Sequence, residues 1–523
     1  MPVRPSPAPF RPTRAILPTL LALLLAGCAV GPDFARPESP ASAAGAQFRE
    51  RPDTASADSG WKPASPASPA ISDRWWEIYG DATLNGLMDQ IEVNNQTLRQ
   101  YEAQYRQAQA TAAAARAAFF PTLTGNASYS RSRSATTSST TSSSTGTTTG
   151  PSRISTSRAL SLDASWEADL WGQVRRSVEA GDAGTLAGAA QLASARLSAQ
   201  ATLAQNYFQL RVIDAEQALY AQTLAAYERS LAITRNQFAV GINTRADVAQ
   251  AESQYQSALA QNLDLSLQRR QLEHAIAQLL GKAPADFALP AATTASASND
   301  WRPEVPVVPV GVPSTLLERR PDVAAAEYQA AAANARIGVA KAAFFPALTL
   351  TGSTGYRGQS LAQWFDAPSR AWSLGASLAQ SIFDGGLRRA QTDQAIAAYD
   401  VTVAQYRQTV LGALVEVEDN LAALRILDEE GQIQDKALAA AREAERLALN
   451  QYKAGTANYL SVVVAQANSL NAARSAYQIL GRRLSASVLL VKALGGHWEG
   501  NGGSAAAPAP SGTPVAQAPA APQ

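Results

Sequence analysis

Cys28 is the residue whose position points most directly to covalent chemistry. It closes the phrase Leu-Ala-Gly-Cys, which follows an apolar run at 15–25 and a start with three arginines. The order is that of a secretory signal peptide over residues 1–27 with a lipobox, because the apolar run is shorter than the roughly 18 residues of a spanning helix. We therefore expect Cys28 to be the lipidated first residue of the mature protein. As the only cysteine, it leaves no disulfide within the chain.

The other residue types form no catalytic or metal-binding pattern. The two histidines, His274 and His497, do not have the spacing of metal ligands. Gly385-Gly386 is better explained as a bend between a strand and a helix than as a nucleotide loop, because the rest of that fingerprint is absent. The stretch 319–322, Arg-Arg-Pro-Asp, could bind an anion, but ion pairs at a helix start are the simpler interpretation. We predict no enzymatic activity, no metal and no cofactor beyond the covalent lipid on Cys28.

The chain as a whole is organised by an internal duplication. ARAAFFPTLT at 115–124 returns as AKAAFFPALT at 340–349, an offset of 225 residues. In each copy an alanine-rich helical run meets a proline, which lacks the amide hydrogen that a helix needs. The residues that follow alternate between apolar and polar side chains, as in a strand with one oily and one wet face. The chain is therefore two copies of one unit, so function belongs to the unit.

Each copy contains a β-hairpin with amphipathic strands. The predicted pairs are 122–131 with 159–170 and 347–357 with 371–383, and the Ser/Thr-rich stretch 134–157 is predicted to be a long loop. Strands with an oily and a wet face are typical of a transmembrane barrel. Four strands cannot close a wide barrel, and an open edge in lipid leaves backbone groups unpaired. We therefore expect neighbouring chains to complete the barrel.

Long helical hairpins follow the strands at 173–281 and 384–494. Leucine and valine recur at seven-residue spacing in both, which predicts coiled-coil packing of rods about 100 Å long at 1.5 Å per residue. Each rod turns back at a glycine, Gly241 or Gly455, and the two tips align at an offset of 214.

The predicted fold class is a mixed α/β membrane protein, with a long coiled-coil α-helical barrel and a transmembrane β-barrel that oligomerisation completes. The net charge of +1 and 17% charged residues give no footprint for nucleic acid. The predicted segments follow in order: a signal peptide at 1–27, a lipid anchor and tether at 28–72, a first repeat at 73–283, a proline-rich connector at 284–313, a second repeat at 314–495 and a disordered tail at 496–523.

The lipobox, the tryptophan pair 75–76, the duplicated Phe-Phe-Pro and LLERRPDVAAAE at 316–327 together resemble the lipoprotein branch of the outer membrane factor family, the TolC-type channels of efflux pumps. The residue directly after the cysteine is Ala29 and not aspartate, and in this the sequence also resembles lipoproteins that are sent to the outer membrane. The resemblance implies a homotrimer with four strands per chain in a twelve-stranded barrel, lipid-anchored in the outer membrane and extending into the periplasm. It also implies a passive duct for drugs or other small toxic solutes. Its partners would be a periplasmic adaptor (membrane fusion) protein and an inner-membrane RND-type transporter.

The same resemblance assigns roles at the tips. It implies adaptor docking at 238–248 and 452–462, around Gly241, Thr244, Gly455 and Thr456. Family members narrow the tunnel at the second tip with aspartate rings, and the matching positions here are Ser461 and Val464. We expect Leu460 and Val464 to close the tunnel by packing and dewetting, with little cation selectivity. Asp247 and Tyr452 match residues that hold the helices shut, whereas Ala457 replaces their basic partner.

Other functions remain open from the residues alone. Type I protein secretion and metal efflux use outer channels of the same architecture, so the sequence does not separate them from drug efflux. A coiled-coil lipoprotein that spaces the outer membrane from the cell wall fits the heptads and the lipobox. It does not fit two amphipathic hairpins placed between the helices.

Overall fold

The structure, a computed structural model, describes residues 30–38, 74–133, 154–291, 302–306, 320–358, 366 and 369–496. The predicted signal peptide, Cys28 and the tail beyond residue 496 lie outside these ranges. The chain packs as two compact units. The first comprises Gln104–Gly188 and Ala326–Tyr406 with the N-terminal segment up to Pro37, and the second comprises the remainder. Each unit contains parts of both sequence repeats.

The duplication is confirmed by the helices. The α-helices of the described ranges are α1 Ala82–Asn94, α2 Gln96–Ala117, α3 Gln173–Ala239, α4 Arg245–Leu279, α5 Pro321–Ala342, α6 Leu387–Lys453 and α7 Tyr459–Ala493, with a 3-10 helix at Trp75–Tyr79. Helices α2 and α5 have 22 residues each, α3 and α6 have 67 each, and α4 and α7 have 35 each. No helix in the described ranges is long and apolar enough to cross a membrane.

The helical stretch from Ala82 to Ala117 is interrupted at Asn95. This residue has extended backbone angles (φ −65°, ψ 120°) between α1 and α2. Its side-chain oxygen accepts a hydrogen bond from the Leu98 amide at 3.0 Å, so it caps α2, and its Nδ2 donates to the Leu279 carbonyl at 2.7 Å. A tertiary contact with α4 therefore fixes a break that local helix propensity does not predict.

The four strands form one antiparallel sheet in the order β1-β2-β3-β4, with β1 Thr122–Arg133, β2 Ile154–Ala168, β3 Ala347–Gly358 and β4 Arg370–Ala379. The register pairs Gly125 with Leu162, Leu162 with Thr354, and Gly352 with Leu374. This register places the predicted oily positions of all four strands on one face. On the other face Asn126 and Ser161 both donate to the Asp163 carboxylate, at 2.7 and 2.8 Å.

The strand limits differ from those predicted at both strand-to-helix switches. β2 starts at Ile154, inside the predicted loop, and it ends at Ala168 because Asp169 turns to accept the Val174 and Arg175 amides at the start of α3, at 3.1 and 3.0 Å. β4 ends at Ala379 rather than at residue 383, since its partner Ala347 is the first residue after a proline. Ile382 therefore lies beyond the strand.

Helix α6 starts at Leu387, three residues later than predicted. Gly385 and Gly386 have positive φ values of 65° and 93°, which belong to a bend rather than to a helix. The Asp384 carboxylate accepts the Gly386 amide at 3.0 Å and the Arg388 amide at 3.3 Å, so it caps the first turn. The double glycine is thus the bend that the sequence indicated.

The core of the second unit contains the tryptophan pair and the predicted heptad positions. Trp75 and Trp76 are buried, and Trp75 Nε1 donates to Gln200 Oε1 at 3.1 Å. The predicted heptad positions lie in the core, with Leu203, Leu210, Val410 and Val417 all buried. Burial of leucine and valine side chains contributes about 1.5–3 kcal/mol each, so the seam stabilises the long hairpins.

Charged residues are also buried in this unit, and each is paired. Arg269 bonds Asp214 at 2.7 Å and Glu273 at 2.6 Å, and the Leu289 amide donates to Glu273 at 3.1 Å. Burial alone would raise the pKa of Glu273, but the bonds from Leu289 and Arg269 lower it below its usual value. The network thereby holds the start of the proline-rich connector onto α4.

Arg320, from the predicted ion-paired helix start, is buried and bonds both Asp322 and Glu416, at 2.7 and 2.9 Å, as well as the Ala493 carbonyl. The structural interpretation of the Arg-Arg-Pro-Asp stretch is therefore confirmed for this residue.

Candidate functional site at the helical tips

The two helical tips have the same backbone geometry. Gly241 and Gly455 have φ values of 77° and 73°, in the left-handed region that favours glycine. The Gly241 amide donates to the Phe238 carbonyl and the Gly455 amide to the Tyr452 carbonyl, both at 3.0 Å. A Cβ added at either glycine would have no atom within 4 Å, so open space adjoins each tip.

The residues that follow each tip glycine cap the helix that comes next. Thr244 caps α4 in a reciprocal box, in which the Thr244 hydroxyl accepts the Asp247 amide while Asp247 accepts the Thr244 amide at 2.9 Å. Asn458 caps α7 by accepting the Ser461 amide at 3.1 Å. Asp247 and Ser461 are the equivalent positions of the two repeats, since 461 minus 247 is the tip offset of 214. Both side chains bond to the capping residue of their own helix, since Asp247 accepts from Thr244 and the Ser461 hydroxyl donates to Asn458 at 2.8 Å.

Tyr452 joins the two hairpins. It is buried, its hydroxyl donates to Gln237 Oε1 at 2.6 Å, and it accepts from Asn243 Nδ2 at 2.9 Å. Asn243 also donates to Gln237 at 2.9 Å, so the three groups form a closed ring of hydrogen bonds. Asp247, expected to share in holding the helices shut, bonds Thr244 in this structure.

A second tyrosine reinforces this junction. The Tyr459 ring lies 5.4 Å from the Tyr452 ring, and the Ser230 hydroxyl donates to the Tyr459 oxygen at 3.2 Å. Burial raises the pKa of Tyr459, and the bond from Ser230 offsets part of that rise. Leu231, Val248 and Val462 complete an apolar cluster around the pair.

Leu460 and Val464 lie on one exposed face of α7, four residues apart. Their exposed fractions are 54% and 51%, whereas Val462 and Val463 between them are buried. Ser461 is exposed beside them. The first tip has Ala246 and Gln250 at the equivalent positions, so the apolar pair belongs to the second tip alone.

The first tip exposes two large apolar side chains. Val240 and Ile242, on either side of Gly241, are 72% and 71% exposed. Thr244 and Thr456 are also exposed, and the Thr456 hydroxyl donates to the Gln451 carbonyl at 3.0 Å. The residues expected to dock a partner therefore lie at the surface of the tips.

The predicted tether after Cys28 is not free at its start. The Val30 amide donates to the Trp171 carbonyl at 3.1 Å, Arg176 bonds Asp33 at 2.8 Å, and Asn334 donates to the Pro32 carbonyl at 2.9 Å. Arg36 pairs with Glu327 at 2.9 Å. Residues 30–37 are therefore held against the rest of the first unit by contacts distant in sequence, which a Pro/Ala/Ser-rich composition does not reveal.

Sequence reasoning also missed Gln237 and Asn243. The repeat of Gln-Phe at 237–238 as Gln-Tyr at 451–452 was the available signal, because it marks these positions as part of the duplicated tip. Among the described residues, no group of three or more His, Cys, Asp or Glu side chains is arranged to hold a metal ion.

The chain is similar to known proteins over nearly its whole length. The profile described as Outer membrane efflux protein matches residues 87–282 and 312–496. Probable efflux pump outer membrane protein TtgC of Pseudomonas putida KT2440 is 32% identical over 91% of this chain and 94% of its own. Outer membrane protein OprJ of Pseudomonas aeruginosa PAO1 is 32% identical over 94% of this chain and 97% of its own.

The solved structure of the outer-membrane channel OprN superposes with a TM-score of 0.79 at 29% identity, covering 90% of this chain and 100% of that one. On the profile and these relatives, the chain belongs to the outer membrane efflux protein family and is an outer membrane channel.

Proposed function

We propose that three copies of this chain form the passive exit duct of a tripartite efflux system. The observation that carries the proposal is the sheet, whose β1 and β4 are its two edges in the single chain. One face of this sheet exposes large apolar side chains such as Leu123, Trp372 and Leu374. In lipid an unpaired strand edge is costly, so pairing β4 of one copy with β1 of the next would satisfy both edges and make twelve strands.

Heat-modifiable migration on a gel and conductance in a planar bilayer test this proposal together. A trimer that shifts to a monomer on boiling and inserts as a conducting pore is the expected result. A boiled and an unboiled sample that migrate alike, with no conductance, would favour a coiled-coil spacer instead.

The lipid on Cys28 is proposed to anchor the protein and not to fold it. Each buried methylene contributes about 0.8 kcal/mol, so acyl chains hold the N-terminus firmly while the sheet inserts by its own apolar face. Cys28→Ala behind a cleavable signal should still trimerise in detergent. A variant that stays monomeric there would show that the lipid is needed for assembly.

The two tips are proposed to receive a periplasmic adaptor that links the duct to an inner-membrane RND-type transporter. Open space at Gly241 and Gly455 and the exposed Val240 and Ile242 support this assignment. Gly455→Trp should abolish efflux in cells without changing the trimer. Gly455→Asn is the matched control, since asparagine tolerates a positive φ and adds little bulk. Wild-type resistance in the tryptophan variant would exclude docking at this tip.

The gate is proposed to be a steric one at Leu460, Ser461 and Val464. Three copies of the exposed apolar pair around one axis would narrow the duct by packing and dewetting, without a ring of fixed charge. Bilayer recordings should show little cation selectivity and little block by a trivalent cation, and Val464→Asp should introduce both. Tight block of the wild type that survives Asp247→Asn would contradict this placement.

Drugs or other small toxic solutes are the proposed cargo, as the resemblance to efflux channels suggests. A deletion strain should become sensitive to organic antibiotics or solvents and regain resistance with the wild-type chain. Sensitivity to metal salts alone, or a lost exported protein, would indicate metal efflux or type I secretion.

A further inference from the structure

Arginines are distributed unevenly along the sheet. The basic residues of the four described strands are Arg131, Arg133, Arg158, Arg357 and Arg370, and all lie in the half of the sheet remote from the helices. The opposite ends of the strands lead into α3 and α6 or follow α2 and α5. The charge is therefore concentrated at one end of the sheet, where the connections between paired strands begin.

The register divides these arginines between the two faces. Arg158 pairs with Tyr129, and Arg370 pairs with Tyr356, positions that share the oily face with Leu160. Arg131 and Arg133 continue the same alternate positions of β1 beyond Tyr129. Four arginines thus extend the oily face, and we call them the arginine rim. The fifth, Arg357, pairs with Ala159 and lies on the wet face.

Aromatic residues lie beside the arginine rim on the oily face. Tyr129 faces Arg158 across the strands and Tyr356 faces Arg370, while Trp372 lies between Leu374 and Arg370 along β4 and is 71% exposed. The Arg158 guanidinium carbon lies 5.3 Å from the centre of the Tyr129 ring, a cation–π distance. Aromatic girdles mark the level where a barrel leaves the hydrocarbon for the headgroups. The arginine rim therefore lies at headgroup level.

Acidic residues of the described strands lie on the opposite face. Asp163 and Glu167 occupy the positions of β2 that alternate with Leu160, Leu162 and Trp166. The oily face thus has four cationic positions and no acidic one within the described strands. Its charge matches an anionic headgroup layer, and the planar guanidinium is suited to phosphate because it donates two parallel hydrogen bonds.

We propose that the arginine rim binds the phosphate groups of anionic lipids in the leaflet that faces outward. The inference rests on the proposed membrane function, which places the helices in the periplasm and the rim at the outer surface. In the trimer the rim would supply twelve guanidinium groups around the barrel. Each basic residue near an anionic surface adds attraction that falls off within a Debye length, so binding should weaken with salt.

The direct probe is purified diphosphorylated lipid A, titrated into the full-length trimer in neutral detergent micelles. A variant with arginines 131, 133, 158 and 370 all changed to glutamine is compared with wild type. Arg357→Gln is the matched control, because it removes one arginine at the same level from the wet face. A second variant, Arg131→Gln/Arg133→Gln, changes only exposed residues at the end of β1 and protects against a folding failure of the larger one.

We expect the fourfold variant, in which all four rim arginines are glutamine, to bind diphosphorylated lipid A about tenfold or more weakly than wild type. The affinity of the double variant should lie between those of the fourfold variant and wild type. Arg357→Gln should bind like wild type, and the monophosphorylated lipid should bind wild type less tightly than the diphosphorylated one. A loss of less than threefold in the fourfold variant, or an equal loss in Arg357→Gln, would overturn the proposal. Bilayer conductance of the same samples separates the two ideas, because a conducting pore without lipid A preference refutes only the arginine rim.

Discussion

Replacing Tyr452 by phenylalanine tests whether the hydrogen-bonded ring between the hairpins keeps the tips together. The change removes one hydroxyl that donates to Gln237 and accepts from Asn243, and it leaves the ring packing and the Asn243–Gln237 bond in place. A net contribution of about 0.5–1 kcal/mol for each lost bond gives about 1–2 kcal/mol per chain. Since 1.4 kcal/mol is a factor of ten, the balance between closed and open tips should shift by about 5- to 30-fold per chain.

Single-channel recording in a planar bilayer measures that shift as open probability. Tyr227→Phe is the matched control, because the Tyr227 hydroxyl accepts from Gln254 at 2.9 Å within the first hairpin and joins no second hairpin. Both variants should lose thermal stability, Tyr227→Phe less because it removes one hydrogen bond and not two, but only Tyr452→Phe should raise the open probability. The reasoning fails if Tyr452→Phe gates like wild type, or if Tyr227→Phe opens the channel equally.

Buried carboxylates and a close helix contact give further predictions. The folded-state pKa of Glu273 is lowered, so the charged carboxylate stabilises the fold at neutral pH and this stabilisation is lost in acid. Glu273→Gln should therefore lower the melting temperature at pH 7, through a loss of about 3–5 kcal/mol in the free energy of unfolding. The melting temperatures of the variant and the wild type should differ less in acid. Burial raises the pKa of Glu216 above its usual value, so the fold loses stability as the pH rises and this carboxyl group becomes charged. Glu216→Gln removes that charge, so it should raise the melting temperature at pH 7 and leave it unchanged in acid. A Cβ at Gly338 would lie 3.0 Å from the Val30 carbonyl, so Gly338→Val should release residues 30–37 to protease, whereas Gly184→Val, with nothing within 4 Å, should not.

Local sequence patterns predicted much of the fold. Sequence matches at offsets of 225 and 214 residues predicted two repeats, and helices of equal length lie at those offsets. Their lengths agree because each copy ends its helices at the same signals, Phe-Phe-Pro and the tip glycine. The alternation in the strands predicted the two faces of the sheet, because a strand repeats every two residues. The heptads identified the buried seam.

Tertiary contacts decided the features that local patterns do not encode. Asn95 breaks a helical run because it bonds Leu279 in a distant helix, and residues 30–37 dock because Arg176 and Asn334 provide partners for their backbone and charges. The arginine rim is scattered over three strands in the sequence and becomes one surface only when the register aligns them. Tyr452 could be identified from the sequence as a tip residue, but Gln237 and Asn243 become its partners only when the two hairpins pack together, since they lie more than 200 residues away along the chain.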